Sequence, residues 1–335
     1  MTLPWIIAAA VAGVIAGPRI RASVFSRSIE SGLPPRRACP ACGQEILPDR
    51  WRWRALLPVT GRCPRCRARI GPYLLLAELT AGLALAVVAA RASSVWELAA
   101  LAWLVLLAVP LAFIDVAVRR LPDPLTAAAF AGTLTLLAIA ALTGHQPGHL
   151  GRAAIGAVAL ACFYLVLAVI RPGGLGLGDA KLAASIGLVL GWTSWQALLT
   201  GTFAGLALAA VYGGVQMARK KATRNSQLPL GPFILLGVLA ALVLLHARPA
   251  RGARSTAPSR PVRPAQHGVL PLLRRHDVQQ PGDRGSLEIT APGRPDVALL
   301  LLVQVFVVHS SEHFDGVAGN ADSVGRPNFA CHQPP

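Results

Sequence analysis

The sequence predicts an all-α membrane protein with about eight transmembrane helices and one small cysteine-rich loop. Three observations support this fold class. Of 335 residues, 54% are hydrophobic and only 14% are charged, whereas about a quarter of the residues in an ordinary soluble domain are charged. The mean hydropathy is +0.53. The apolar residues also form long separate runs, and the basic residues lie in alternate loops between those runs.

Eight apolar runs each approach the ~20 residues that a helix needs to cross a bilayer. The first lacks basic residues before it and is followed by a positive flank, so we expect an uncleaved anchor rather than a signal peptide. The sixth is the shortest. The runs cover residues 3–17, 73–90, 95–114, 124–143, 152–170, 180–192, 195–217 and 229–246.

The distribution of basic residues predicts the orientation of these helices. Residues 18–72 hold twelve arginines against three acidic residues, and the loops at 115–123, 171–181 and 218–228 are also basic. The intervening loops hold at most one basic residue each. Because basic loops stay on the cytoplasmic side, the amino terminus is predicted outside. The same clustering accounts for the net charge of +17 without nucleic acid as a partner.

The chain divides into four predicted parts. Residues 1–17 form the first anchor, 18–72 a cytoplasmic cysteine loop, and 73–246 the membrane core. From residue 247 to 335 the sequence is rich in Pro, Arg and Gly, and its hydrophobic residues follow no sustained periodic pattern. Its one apolar run, 297–308, is too short to span. We expect a disordered extracytoplasmic tail. A frame-shifted or misannotated carboxyl end would also explain why the composition changes after residue 246.

The cysteine loop carries a metal-binding pattern. Two Cys-x-x-Cys pairs, Cys39 with Cys42 and Cys63 with Cys66, lie 20 residues apart. Four thiolates at this spacing can close a tetrahedron around zinc. A reducing cytoplasm disfavours disulfides, which leaves free or redox-active thiols as the alternative. A closed four-cysteine site has no open coordination position, so the zinc is predicted to be structural.

Three aspartates lie where apolar runs meet basic loops. Asp115 ends the third run, and no helix start follows it directly that it could cap. Asp123 precedes Pro124 and suits a helix N-cap, a position that asparagine fills about as well, so Asp123→Asn is expected to be mild. Asp179 could also be an N-cap, but Gly176 and Gly178 indicate a bend or a close approach. Lys181 can extend its ammonium group to the interface.

The predicted orientation brings Asp115 and Asp179 to the same membrane face. Two adjacent carboxylates share a proton because two like charges in contact cannot both form cheaply. One can then activate water as a base while the other donates a proton as an acid. This chemistry hydrolyses peptide bonds.

Several motifs resemble those of the type IV prepilin peptidases, the G-x-G-D aspartic membrane proteases. These are Asp115 followed after six residues by Pro122-Asp123, and the stretch from Gly176 to Leu182 that contains Gly178, Asp179 and Lys181. The sequence LPLGPFILLG at 228–237 resembles that family's Pro-Phe-Gly-Pro-Phe stretch, with Leu230 in place of phenylalanine. Residues 61–83, with Glu78, resemble the segment that leads from its cysteine loop into the next helix. The resemblance covers about residues 1–245.

This resemblance implies that the protein cleaves the basic leader of prepilin-like precursors, either type IV pilins or pseudopilins of type II secretion. The cut would follow a glycine on the cytoplasmic side of the cell membrane. Asp115 and Asp179 would be catalytic, and support would come from Gly176, Gly178, Lys181 and Asp123. Many members also methylate the new amino terminus with S-adenosylmethionine. This chain has GPRIRASVF at 17–25 where the family has Gly-Ser-Phe-Leu-Asn, so weak or absent methylation is predicted.

Other functions fit parts of the sequence. Intramembrane carboxylates relay protons in transporters, but that function leaves the cysteine loop without a role. A non-catalytic scaffold could use a zinc loop to bind partners. The sequence HSSEH at 309–313 matches a zinc-peptidase pattern, but it lies in the tail without a surrounding framework.

Overall fold

A computed structural model describes residues 2–29, 33–47, 61–72, 75–170, 176–221 and 229–246. The predicted tail, including HSSEH, lies outside these residues. The described part contains no β-strand, only two isolated β-bridges, one in each half of the cysteine loop. It contains eight helices: α1 Leu3–Arg27, α2 Leu76–Arg91, α3 Val95–Val118, α4 Asp123–Thr143, α5 Pro147–Ile170, α6 Leu177–Thr193, α7 Trp195–Ala218 and α8 Gly231–His246.

Each helix corresponds to one of the eight predicted apolar runs, so the predicted all-α membrane fold is confirmed. Helix α1 differs most from its prediction, because it passes through Pro18 and ends at Arg27 rather than near residue 17. The added turns are stabilised by burial, because Ala22, Val24 and Phe25 are buried. The first part of the predicted cysteine loop is therefore a continuation of the first helix.

Five of the described helices are long and apolar enough to cross a membrane: α1, α3, α4, α5 and α7. Together they make the chain a multi-pass membrane protein. Helices α2, α6 and α8 are shorter, with 16, 17 and 16 residues. At 1.5 Å per residue, 17 residues reach about 25 Å, a few Å less than the ~30 Å hydrocarbon core.

The helices pack mainly as sequential pairs, α1 with α2, α3 with α4, α5 with α6, and α7 with α8. Helix α3 is the most buried of the long helices and also contacts α1, α2 and α8. Only residues 119–122 join α3 to α4, and only Ser194 separates α6 from α7. Such short connections make successive helices antiparallel. The carboxyl end of α3 therefore shares one face of the bundle with the amino ends of α4, α6 and α8.

Glycines allow two of these pairs to approach closely. A Cβ at Gly156 of α5 would lie 2.7 Å from the carbonyl oxygen of Gly187 on α6. A Cβ at Gly237 of α8 would lie 2.3 Å from the carbonyl oxygen of Gly201 on α7. Membrane helices have little hydrophobic drive to associate, so close backbone packing at small residues stabilises their contacts.

This packing predicts opposite effects for two alanine substitutions in α5. Gly156→Ala places a methyl group against the backbone of α6 and should destabilise the protein by about 1–3 kcal/mol. Gly151→Ala is the control, because nothing lies within 4 Å of its added Cβ. It should be neutral or stabilise by up to about 1 kcal/mol through helix propensity. Thermal unfolding of the purified protein in detergent measures both. Equal stability of the two variants would contradict the close α5–α6 contact.

Candidate active site and metal centre

Asp115 lies in the last turn of α3, at the end of the helix rather than in its centre. The helix ends because Arg119 adopts a left-handed conformation, with φ of 52°, and the amide of Arg119 donates to the Asp115 carbonyl at 2.7 Å. The Asp115 residue is only 4% exposed. A carboxylate so buried needs polar partners, because desolvation of an unpaired charge is costly.

The first residue of α8 supplies one such partner. The backbone amide of Gly231 donates to Oδ2 of Asp115 at 2.8 Å. The first amides of a helix have no partner within the helix, and the helix dipole makes that end favourable for a negative group. A Cβ at residue 231 would lie 3.0 Å from the same oxygen. The glycine therefore allows the backbone of α8 to reach the carboxylate.

Asp179 is held in a similar way by the start of α6. Gly176 takes the N-cap position, and its amide donates to Oδ2 of Asp179 at 3.2 Å. Asp179 is therefore the third residue of the helix, and the N-cap interpretation of this residue is wrong. Its other oxygen, Oδ1, is buried and has no hydrogen-bond partner among the described residues. The whole residue is 6% exposed.

The structure brings Asp115 and Asp179 together. The two carboxylates are close enough for their charges to act on one another, although they belong to different helix pairs. The charge of Asp179 also acts on the hydroxyl group of Tyr164, a buried residue of α5. Helices α3, α5, α6 and α8 thus contribute polar groups to one region.

Gly178 determines how closely α6 approaches the turn between α3 and α4. A Cβ on Gly178 would lie 2.8 Å from the Cβ of Leu121. The close approach predicted for this pair of glycines therefore occurs at Gly178. Gly176 has no such tight contact, and its φ of −85° is accessible to any residue.

Asp123 does not cap α4, which corrects the second N-cap interpretation and removes the reason to expect a mild effect of Asp123→Asn. Pro122 occupies the N-cap position, and Asp123 is the first helical residue without a side-chain cap bond. The carboxylate instead pairs with the ammonium of Lys181 on α6, at 2.6 Å. Because extended Pro122 starts the helix, the Asp123 side chain is directed across to the neighbouring helix.

The four cysteines form a cluster that could hold a metal ion. Their sulfur atoms lie within 4.8 Å of one another, and the four thiols are free of disulfides. The Cys39 and Cys66 sulfurs are 3.7 Å apart, as are those of Cys42 and Cys63. A tetrahedron with metal–sulfur bonds of about 2.3 Å has edges of about 3.8 Å, so the spacing fits zinc.

The two Cys-x-x-Cys turns have matching backbones. Gly43 and Arg67, which directly follow the second cysteine of each pair, both have a positive φ, 69° and 59°. The pKa of the Cys63 thiol is lowered to about 6, and the largest cause is a hydrogen bond with the backbone of Cys66. A lowered pKa favours the thiolate form that metals bind. The cluster packs against Phe25 at the end of α1.

A buried ion pair lies in the contact between α1 and α2. Arg21 and Glu78 approach to 3.0 Å, with side chains only 1% and 6% exposed. Arg21 belongs to the stretch that departs from the peptidase motif. Gly17 allows this contact, because a Cβ there would lie 2.4 Å from Cγ of Glu78. Losing one partner of such a pair would leave an uncompensated buried charge.

Several of these partners were not predicted from the sequence. They are the Gly231 amide, Tyr164, and the pair of Arg21 and Glu78. Tyr164 carried a signal, since it is one of only three tyrosines and lies in an otherwise apolar run. Gly231 precedes Pro232 at the start of an apolar helix, a pattern typical of a helix amino terminus.

Comparisons with known proteins agree with the peptidase resemblance. The profile of the type IV leader peptidase family matches residues 98–214. A prepilin leader peptidase/N-methyltransferase of Aeromonas salmonicida is 31% identical over 225 residues, which cover 63% of this chain and 72% of the relative. The chain belongs to the type IV leader peptidase family. This membership confirms the predicted family and the predicted enzyme class.

Other relatives of this leader peptidase carry the same name. The protein of Pseudomonas aeruginosa is 30% identical over 219 residues, 62% of this chain and 71% of the relative. That of Burkholderia pseudomallei strain K96243 is 34% identical over 235 residues, 64% of this chain and 71% of the relative. No solved structure matches the chain.

The cysteine geometry predicts the metal content of this leader peptidase. Purified protein should carry about one zinc ion per chain, as one closed four-thiolate site would. Cys39→Ser or Cys63→Ser should remove the metal and loosen residues 38–70, while helices α3 to α8 remain folded. Elemental analysis and limited proteolysis measure these effects. Cys162→Ser is the matched control, because Cys162 lies alone and exposed on α5. Fully folded, active protein without metal would contradict the prediction.

Proposed function

We propose that this protein removes the basic leader from prepilin-like precursors, type IV pilins or pseudopilins, with Asp115 and Asp179 as its two catalytic residues. The observation that carries the proposal is that two buried carboxylates from different helices lie in one region. Asp115 accepts a hydrogen bond from the amide of Gly231, the first residue of α8, and Asp179 accepts one from the amide of Gly176, the N-cap of α6. The names of the relatives, prepilin leader peptidases, supply the class of substrate.

The chemistry follows from a carboxylate pair that shares one proton. The ionised member takes a proton from water, and the water oxygen attacks the carbonyl carbon of the scissile peptide. The protonated member gives its proton to the carbonyl oxygen, and proton transfer to the leaving amine then completes cleavage. Oδ1 of Asp179, which has no partner among the described residues, is the oxygen that we assign to the attacking water.

The surrounding residues support this pair without reacting. Gly176 and Gly231 donate backbone hydrogen bonds that fix one oxygen of each carboxylate. Gly178 lets α6 reach the α3–α4 turn. Asp123 and Lys181 join the first turns of α4 and α6. Fixed donors at charged groups favour catalysis because no reorganisation is needed during the reaction.

The distribution of arginine and lysine supports a cytoplasmic position for the site in the cell membrane. In that arrangement the basic leader lies among the lipid headgroups, and the apolar segment of the precursor lies in the bilayer beside the enzyme. Because α6 and α8 are short, their amino ends can lie slightly below the surface. The peptide bond between leader and apolar segment would reach the same depth.

We assign the cysteine cluster to a structural zinc ion, because all four tetrahedral positions are taken by sulfur. The relatives are also named N-methyltransferases, and for such a second reaction we propose S-adenosylmethionine as the methyl donor. Here Arg21 pairs with Glu78 in the stretch that departs from the family motif. That departure supports cleavage without efficient methylation.

Substitution of the two aspartates tests the proposed mechanism. Asp115→Asn or Asp179→Asn keeps the side-chain shape but removes one proton-transfer group, so each should slow cleavage by at least ~10²-fold. The double variant should be little slower than either single variant, since groups that act as a unit are not additive. The assay is leader removal from a co-expressed prepilin-like precursor, followed by mass spectrometry.

Glu97→Gln provides the matched control, because Glu97 lies on the same helix as Asp115 but at its opposite end. It should cleave at the wild-type rate. Near wild-type cleavage by both aspartate variants would exclude the paired-carboxylate mechanism, and a transporter or a scaffold would then explain the fold better.

Methylation of the product is the second test. The stretch from Gly17 to Phe25 predicts weak or absent methylation even where cleavage is complete. The intact mass of the mature substrate, purified after co-expression, shows whether its amino terminus carries a methyl group. A stoichiometric methyl group would show that the altered stretch, with its Arg21–Glu78 pair, still supports methyl transfer.

A further inference from the structure

The ion pair between Asp123 and Lys181 lies on the exposed side of the helix that carries Asp179. Lys181 and Asp179 are two residues apart in α6, so their side chains point to opposite sides of its first turn. Asp179 is buried, whereas the side chains of Lys181 and Asp123 are 53% and 74% exposed. The pair therefore lies on the exposed side of α6, and Asp179 lies on its buried side.

The partner of Lys181 is linked through the chain to Asp115. Asp123 starts α4, and only residues 119–122 separate it from the end of α3. The start of that turn is fixed to Asp115 by the bond from the Arg119 amide to the Asp115 carbonyl. Any contact between this turn and α6 therefore bears on the separation of the two catalytic carboxylates.

Two contacts of opposite kind join the start of α6 to this turn and to the first residue of α4. Gly178 lies so close to Leu121 that a Cβ on residue 178 would not fit. This contact limits how closely α6 and the α3–α4 turn approach. The ion pair of Lys181 with Asp123, at 2.6 Å, limits how far they separate. The Gly178–Leu121 contact is repulsive at short range, and the ion pair is attractive. Together they define the distance between the start of α6 and the turn that joins α3 to α4.

We propose that Lys181 and Asp123 are positioning residues that hold Asp179 at the catalytic distance from Asp115. This inference rests on the proposed function and adds a role for an exposed ion pair that does not touch the reacting atoms. Exposed ion pairs contribute little to the stability of a fold. Active-site geometry is more sensitive, since a misplacement of about 1 Å can slow a reaction by about 10²-fold.

The test compares single and paired substitutions in the full-length enzyme, reconstituted in nanodiscs with a prepilin-like precursor. Lys181→Met keeps the aliphatic stem and removes the charge, and Asp123→Asn keeps the shape of the partner. Each should lower kcat by about tenfold and leave KM within about twofold, because geometry at the reacting bond is lost while substrate binding is retained. The unfolding temperature should not change.

The exchanged pair, Asp123→Lys with Lys181→Asp, distinguishes positioning from other roles. If the pair acts as a tether, exchange restores the attraction and should return kcat to within about threefold of wild type. Higher salt should lower kcat of the wild type but not of Lys181→Met, because exposed charges are screened. Arg120→Met, an exposed cation in the same turn, is the control and should keep wild-type kcat.

Three results would overturn the inference. These are wild-type kcat in both single variants, failure of the exchanged pair to recover activity, or a loss that appears only in KM, which would indicate that the charges bind the leader. If Lys181→Met is fully active while Asp115→Asn is inactive, the tether is wrong but the proposed function stands. If the wild-type protein does not cleave any prepilin-like precursor, both are wrong.

Discussion

The arrangement of the bundle depends on the need to stabilise two acidic groups that are buried at the edge of a membrane. Asp115 and Asp179 each receive a backbone amide from the start of a helix, that of Gly231 for Asp115 and that of Gly176 for Asp179. Such amides are partial charges fixed by the fold, so they satisfy a carboxylate without neutralising it. A carboxylate held in this way can still exchange protons.

This requirement explains features that are otherwise unconnected. Helix α8 has to begin at Gly231, because a side chain there would crowd Asp115. Gly176 caps helix α6, and Gly178 allows its first turn to pack closely on Leu121, while Asp179 is buried. Close glycine contacts between α5 and α6 and between α7 and α8 hold the two short helices in place. The glycine-rich sequence around Asp179 is thus a consequence of backbone placement.

The cysteine cluster belongs to a second part of the molecule. Its turns pack on Phe25, and one helical turn before Phe25, Arg21 pairs with Glu78 at the start of α2. Helix α1 therefore connects the predicted metal centre to the membrane bundle as one continuous rod. This continuity requires the helix to extend to Arg27, well beyond the apolar run that indicated it.

The sequence was sufficient to predict the eight helices, because polar, charged or glycine-containing residues separate each apolar run from the next, even where the sixth and seventh runs are only two residues apart. It was also sufficient to predict the cysteine cluster, since x-x spacing determines a local turn. The roles of individual polar residues were harder to predict. Asp123 was interpreted as an N-cap from its neighbours, and the same possibility was left open for Asp179, yet Pro122 and Gly176 take those positions.

Long-range partners explain the remaining differences. The Gly231 amide is 116 residues from Asp115, and Lys181 is 58 residues from Asp123. No local pattern in the sequence encodes which of several loops on one membrane face will meet. Similarly, the pair of Arg21 and Glu78 depends on how α1 packs against α2. Those contacts follow from helix packing, and the sequence shows where the glycines are but not which neighbouring helix each one packs against.

The most direct test of whether Asp115 and Asp179 act together is a structure of the enzyme with a bound precursor peptide. In this peptide a hydroxyethylene group replaces the scissile bond. Such a group imitates the tetrahedral transition state, which an enzyme binds more tightly than its substrate. If the two carboxylates act together, its hydroxyl lies within about 3 Å of carboxylate oxygens of both Asp115 and Asp179. A hydroxyl that contacts only one of the two, or a peptide bound elsewhere on the bundle, would contradict this joint action.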